Sequence, residues 1–233
     1  MKILAIESSS LVASVAIMED DVMVAEYTIN YKKTHSQTLL PMIDEICGLT
    51  EYQLQDIDAI AVSAGPGSFT GLRIGSATAK GLGLALKKPL IHIPTVEAMA
   101  YNFYDTDKYI VPIMDARRSQ VYTGIYSNIE GTVEEVLPQS IMSIEELIKR
   151  INEIGHEVVF LGDGVPAFKE KIIMDIQVKA IFAPAGINRQ RAGAVAELGK
   201  RYFMQGRIET AAEHAPDYLR LSQAERERKN AKQ

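Results

Sequence analysis

Apolar residues along this chain follow two rhythms: short runs bounded by turn residues, and longer stretches spaced at three and four. Ile3–Ile6 is a continuous apolar run of strand length, as expected of a strand buried on both faces. Leu11–Met18 and Val22–Ile29 are rich in β-forming residues and are separated by the polar turn Glu19-Asp20-Asp21. Leu39, Leu40, Ile43, Ile46 and Cys47 recur at helical spacing, with Thr34 and Gln37 as a capping box before them and Gly48 as the stop. Pro41 is expected to kink this helix or delay its start. Ile57–Ser63 reads as a strand, Gly71–Leu86 as a helix and Leu90–Ile93 as a strand, so the order is β-β-β-α-β-α-β.

The same order returns from Tyr109. Strands are predicted over Tyr109–Asp115, Gln120–Tyr126 and Thr132–Leu137, then a helix over Ser143–Ile154 with Ser143 and Glu146 as a second capping box. Strand Glu157–Leu161, helix Pro166–Met174, strand Gln177–Phe182 and a long helix Asn188–Gln205 follow. Laying one half over the other puts Ile6-Glu7 on Met114-Asp115 and Ala16-Ile17 on Gly124-Ile125 without a gap. The prediction is an α/β protein of two duplicated lobes, residues 1–105 and 106–233, divided within the polar stretch Asn102–Lys108. The last helix is free to pack back on the first lobe.

Composition narrows the chemistry. With 47% hydrophobic and 24% charged residues, the 233-residue chain can bury a core without staples. Cys47 is the only cysteine, which excludes an intramolecular disulfide and a thiolate metal cluster and suits a reducing cytoplasm. Glu7 interrupts the first apolar run, and no eighteen consecutive apolar residues occur, so neither a signal peptide nor a membrane span is expected. Twenty-five basic against thirty acidic residues give a net charge of −5. Such a chain is a poor stand-alone nucleic-acid binder, so any RNA would be gripped mainly by something else.

The densest motif is Ser63-Ala-Gly-Pro-Gly-Ser-Phe-Thr-Gly-Leu-Arg-Ile-Gly75, a strand, a glycine loop and a helix start. It is not a phosphate-binding P-loop, because Gly71-Leu72-Arg73 stands where Gly-Lys-Ser/Thr is required. It also misses the dinucleotide fingerprint, since Gly67 and Gly71 are four apart. Its two readings are a phosphate cradle and a tight strand-to-helix turn. Gly71, Gly75, Ala79 and Gly83 form a stripe of tiny side chains at four-residue spacing, which lets another helix come close. The stripe fits either an intermolecular surface, which is favoured, or packing inside its own lobe. On the first reading, Gly75→Leu would abolish association and spare the fold. His35 is followed by Thr38 and Leu39 and so lacks the second ligand of a helical metal pair, and His92, His156 and His214 are scattered. No metal site is expected. The tail, residues 224–233, mixes charges without apolar anchors and reads as a solvated end.

Two facing β-β-β-α-β-α lobes resemble the actin, sugar-kinase and Hsp70 ATPase (ASKHA, ribonuclease H-like) architecture. There, acids at the ends of the first strands meet magnesium-bound phosphates, which makes Glu7 and Asp115, with Ser8 beside Glu7, the nucleotide or phosphate candidates. Ile3-Leu-Ala-Ile-Glu-Ser-Ser9, Thr34-His-Ser36, the Ser63–Gly75 segment, Pro94-Thr-Val-Glu97, Met114-Asp-Ala-Arg-Arg118, Val121-Tyr122 and Pro216-Asp-Tyr-Leu-Arg220 together resemble the bacterial TsaB (YeaZ) family. The resemblance implies a non-catalytic partner in forming N6-threonylcarbamoyladenosine beside the tRNA anticodon. Its expected partners are a TsaD-like catalytic paralogue, a TsaE-like ATPase, a second copy of itself, and tRNA through the complex. The implied partner surface comprises His35, Leu39, Leu40 and Ile43 on one helix and Gly71, Arg73, Gly75, Ala79, Leu82 and Gly83 on the next. The paralogue's His-xxx-His metal pair is reduced here to His35 with Leu39, so no catalytic or metal residue is implied. Glu7 stands where the family commonly has Asp, and no tightly bound cofactor is expected, with ATP and magnesium the weak candidate occupants. The competing reading is an independent cleft enzyme of the same superfold, either a small kinase or ATPase or a glycoprotease-like hydrolase.

Overall fold

The computed structural model describes residues 1–219. In chain order the elements are β1 (Lys2–Glu7), β2 (Val12–Glu19), β3 (Val22–Asn30), α1 (His35–Thr50), β4 (Ala59–Gly65), α2 (Phe69–Leu86), β5 (Leu90–Pro94) and α3 (Thr95–Ala100). They continue as β6 (Thr106–Asp115), β7 (Gln120–Ile129), β8 (Thr132–Ser143), α4 (Ile144–Ile154), β9 (Val158–Leu161), α5 (Val165–Asp175), β10 (Ala180–Phe182) and α6 (Ala192–Met204). A short 3₁₀ turn spans Leu54–Asp56.

Two five-stranded sheets result, ordered β3-β2-β1-β4-β5 and β10-β9-β6-β7-β8. In the first, β1 pairs antiparallel with β2 and parallel with β4. In the second, β6 pairs antiparallel with β7 and parallel with β9. The topology is thus repeated. The apolar run of β1 is explained by burial on both faces: alternate side chains of a strand point to opposite sides. Leu4 and Ile6 pack with Leu39, Ile43 and Ile46 of α1, while Ile3 and Ala5 meet Val195, Leu198 and Tyr202 of α6. In the second sheet, Val111 and Ile113 face Leu147 and Ile151 of α4, while Ile110 and Met114 meet Val96 and Met99 of α3. The sequence pattern left α3 unassigned, because Thr95–Ala100 is too short to show helical periodicity.

Three local expectations change. Helix α1 runs from His35 through Pro41 to Thr50. Gln37 and Pro41 are both exposed, so water can take the place of the amide that proline lacks. Thr34 occupies the N-cap place but makes no side-chain cap, and its backbone carbonyl accepts from the Gln37 amide at 2.9 Å. The stop is Glu51 with φ 57°, not Gly48. The second capping box is half formed: Ser143 Oγ accepts from the Glu146 amide at 3.1 Å, while the Glu146 carboxylate turns to Arg150 at 2.6 Å.

The small-residue stripe of α2 faces inward. Gly71, Gly75 and Gly83 are buried and Ala79 is fully buried. A Cβ on Gly71 would collide with the Ser8 carbonyl oxygen, one on Gly75 with Ser8 Oγ, and one on Gly83 would lie 3.0 Å from Leu90 Cδ2. The glycines exist so that α2 can lie on β1, its following loop and β5. The intermolecular reading is corrected for these four residues, and with it the expectation that Gly75→Leu would spare the fold. Gly75→Leu is expected to yield no folded protein, and Gly75→Ala to lose about 2 kcal/mol of stability through overpacking. Urea unfolding of the alanine variant, read as a lowered midpoint with unchanged slope, checks this.

Candidate functional site

The carboxyl ends of β1 and β4 in one sheet, and of β6 and β9 in the other, open on a common cavity of about 670 Å³. Open α/β sheets place ligands at this end, where the strand order diverges. The loop after β1 contributes Ser9 and Ser10, the turn after β6 contributes Asp115 and Arg117, and the turn after β9 contributes Asp163. The first turns of α1 and α2 also reach the wall, through His35 and Ser36 and through Ser68 and Thr70. Two helix amino termini therefore point toward one space, each carrying partial positive charge. Ser68 caps α2, its Oγ accepting from the Gly71 amide at 3.3 Å. The acids Asp115 and Asp163 share the lining with the basic Lys33 and Arg117, so the cavity is polar and of mixed charge.

Of the three residues expected to meet phosphate, only Asp115 lines this cavity. Its Oδ1 accepts from the Arg117 amide at 2.7 Å. Arg117, Arg118 and Ser119 all have positive φ, of 67°, 55° and 57°, a strained run for non-glycine residues that aims this turn. Ser8 is fully buried, its Oγ donating to the Gly71 carbonyl at 3.0 Å and its amide to Ser63 Oγ at 3.3 Å. Glu7 is 1% exposed and turns back on its own loop, Oε1 accepting from the Ser9 amide and the Ser9 hydroxyl, both at 2.6 Å. Burial pushes its carboxyl up to about 7, against the opposing hydrogen bonds from Ser9. Asp163, which the sequence reading did not single out, is also raised by burial and accepts from Gln190 Nε2 at 2.8 Å. Nothing in its local sequence but the Gly-Asp-Gly turn after an apolar run could have flagged it.

The expected partner residues divide sharply. His35, Leu39 and Ile43 are buried, as are Gly71, Gly75, Ala79 and Gly83; Leu82 is half-buried, and only Leu40 and Arg73 are exposed. His35 braces two loops, its Nε2 lying 2.8 Å from the Ser10 carbonyl and its ring against Gly71. The apolar stripes legible in the sequence were core stripes, because a helix on a sheet must first cover that sheet. What α2 presents outward is a neighbouring row: Arg73, Ala77, Gly81, Leu84 and Ala85 are exposed, and a Cβ on Gly81 would touch nothing within 4 Å among the described residues.

Pro216–Leu219, the described part of the Pro216–Arg220 motif, crosses the end of β4: the Asp217 amide donates to the Ala64 carbonyl at 2.7 Å. Tyr218 stacks on Phe69 with centroids 4.7 Å apart. Arg220 and the tail read as a solvated end lie outside the described residues. His92 and His214, scattered along the sequence, meet in space with ring centroids 5.8 Å apart. Among the described residues, no helix is long and apolar enough to cross a membrane.

Comparison with known proteins gives the class first. A ROK hexokinase from Thermus thermophilus shares the fold alone, at TM-score 0.50 and 10% identity, covering 88% of this chain and all of that one. With the repeated sheet topology, this is the two-lobed actin, sugar-kinase and Hsp70 ATPase architecture. A family model described as "TsaD: tRNA N6-adenosine threonylcarbamoyltransferase" matches residues 23–228. The "tRNA threonylcarbamoyladenosine biosynthesis protein TsaB" of Bacillus subtilis is 35% identical over 227 residues, 97% of this chain and 96% of that one. YeaZ from Pseudomonas aeruginosa superposes with TM-score 0.80 at 23% identity, covering 94% of this chain and 99% of that structure. The chain belongs to the TsaB (YeaZ) family.

The buried Glu7 generates a pH prediction. Its carboxyl is raised from an ordinary 4.5 to about 7, so the unfolded chain releases this proton first as pH rises. The stabilising contribution is complete below pH 4.5 and is lost by about pH 7, roughly 3 kcal/mol in all. Glu7→Gln keeps an acceptor for Ser9 and cannot ionise. The variant should gain on the native protein across that window, as read from denaturant midpoints at pH 4.5 to 8.

Proposed function

We propose that this chain is a non-catalytic accessory subunit in the formation of N6-threonylcarbamoyladenosine on tRNA, acting by pairing with a TsaD-like catalytic paralogue. The observation that carries the reading is the match along nearly the whole of both chains to a relative named as a biosynthesis protein of that nucleoside. A net charge of −5 supports contact with tRNA through the complex rather than alone. In this reading a TsaE-like ATPase joins the assembly, the chain pairs with itself when the paralogue is absent, and the work is done in the cytoplasm. No resident cofactor is required.

The paired surface in this proposal is the outward row of α2 with Leu40 of α1. Gly81 supports it: a glycine inside a helix is about 1 kcal/mol worse than alanine, and no neighbour among the described residues offsets that. Exposed Leu84 beside it, 68% accessible, and Leu40, 54% accessible, offer apolar area to a partner. A partner helix resting on Ala77, Gly81 and Ala85 would reach the backbone closely. The independent-enzyme reading keeps one observation in its favour, the cavity with Asp115 and Asp163 facing two helix amino termini. It requires turnover by the isolated chain.

Both are tested by reconstituting the modification from tRNA, threonylcarbamoyl-adenylate, TsaD and TsaE, with and without this protein, and following the nucleoside by mass spectrometry. Product is expected only when the protein is present, and the protein alone should turn over ATP at trace rates at most. Gly81→Leu should keep the native circular dichroism spectrum and urea midpoint to within about 1 kcal/mol. It should also lose partner binding and product by at least an order of magnitude. Native product with Gly81→Leu would move the pairing surface elsewhere.

A further inference from the structure

After α6 the chain returns along the outer edge of the first sheet, where β5 is the last strand. Leu90 and Glu209 exchange two backbone hydrogen bonds, of 2.8 and 2.9 Å. Lys80 Nζ donates to the His214 carbonyl at 2.8 Å. This return brings His92 on β5 to Glu209 and His214, which lie close together in sequence on the returning segment. One ligand atom from each lies within 4.8 Å of the other two. The cluster lies apart from the cavity between the sheets and shares no residue with its wall.

Both histidines bring Nδ1 near one oxygen of the Glu209 carboxylate. His214 Nδ1 lies 2.5 Å from Glu209 Oε1, and His92 Nδ1 lies 3.8 Å from the same oxygen. Behind His92, its Nε2 lies 3.0 Å from Asp217 Oδ2. A carboxylate on the far nitrogen is how metal-ligating histidines are held in one tautomer and orientation. The His214 side chain is fully buried, and its Nε2 has no hydrogen-bond partner among the described residues. Without an ion, the proton on His214 sits between Nδ1 and the carboxylate. With an ion, it moves to Nε2 and Nδ1 becomes a ligand.

We propose that His92, Glu209 and His214 bind one divalent late first-row metal ion, zinc by preference, which fastens the returning segment to β5. Two imidazoles and a carboxylate, with water in the fourth position, are a donor set that zinc accepts. Ligand bonds near 2.0 Å in a tetrahedron set ligand atoms about 3.3 Å apart. Glu209 would draw closer to His92 and away from His214, and the two histidine nitrogens, within 4.8 Å of one another, would settle at the same spacing. Lys80 offers its ammonium to a backbone carbonyl and competes for no ligand atom.

The test uses the full chain, stripped with chelator and titrated with zinc by calorimetry and with cobalt by visible absorption. One equivalent per chain is expected, with cobalt giving intense tetrahedral ligand-field bands and zinc raising the melting temperature. His92→Asn should weaken binding more than tenfold and abolish the zinc-dependent thermal shift. Asp217→Asn should weaken it about 10- to 100-fold by releasing the orientation of His92. His156→Asn, at a histidine outside the cluster, should bind as the native chain does. His92 is partly exposed on an edge strand, so its replacement leaves the core intact and the reading clean. The proposal is overturned by the absence of a one-equivalent transition, by unchanged affinity in His92→Asn, or by equal weakening in His156→Asn.

Discussion

The cavity side of this protein depends on one steric constraint, the approach of the loop after β1 to the start of α2. Ser8 and Ser9 lie so near Gly67, Gly71 and Gly75 that a Cβ at any of the three would collide, with backbone oxygens at the first two and with Ser8 Oγ at the third. The approach lets Ser8 Oγ reach the Gly71 carbonyl and the Ser68 amide reach the Ser9 carbonyl, at 3.0 and 2.7 Å. With α2 so placed, its amino terminus faces the cavity and its carboxyl end reaches β5. His35 then seats α1 against Ser10 and Gly71, which aligns a second amino terminus with the first.

That geometry also sets the electrostatics. Glu7 is drawn under the loop and loses its solvent, so its carboxyl is most easily kept as a neutral acid that accepts from Ser9. Asp163 is buried across the cavity, and like charge there reinforces the upward shift of Glu7. The cavity wall consequently carries Asp115 and the two helix ends, while Glu7 is buried behind it. Held this way, the Glu7 side chain orders the loop after β1 through Ser9.

Helix α2 has two faces with different duties. Gly71, Gly75, Ala79 and Gly83 meet the chain's own sheet, and Ala77, Gly81, Leu84 and Ala85 meet solvent. Glycines on both faces of a helix reduce its intrinsic stability, and among the described residues only those of the inner row are offset by packing within the chain. The outer row is exposed.

The sequence by itself determined the repeated order of strands and helices. It also determined which strands are buried, because β1 and β6 must be apolar on both sides when helices cover both. It located the glycine segment and, through its motifs, the family. It could not say which side of α2 the small residues served, since 3.6-residue periodicity marks a stripe without naming what the stripe touches. Nor could it show that Glu7 turns away from the cavity, that Asp163 turns toward it, or that Pro41 lies on the wet side of α1. His92, Glu209 and His214 carry no common spacing, and only the return of the chain along β5 puts them within reach of one another. Local periodicity reports neighbours a turn away, whereas His92 meets Glu209 and His214 across more than a hundred positions, and only the packed fold decides such contacts.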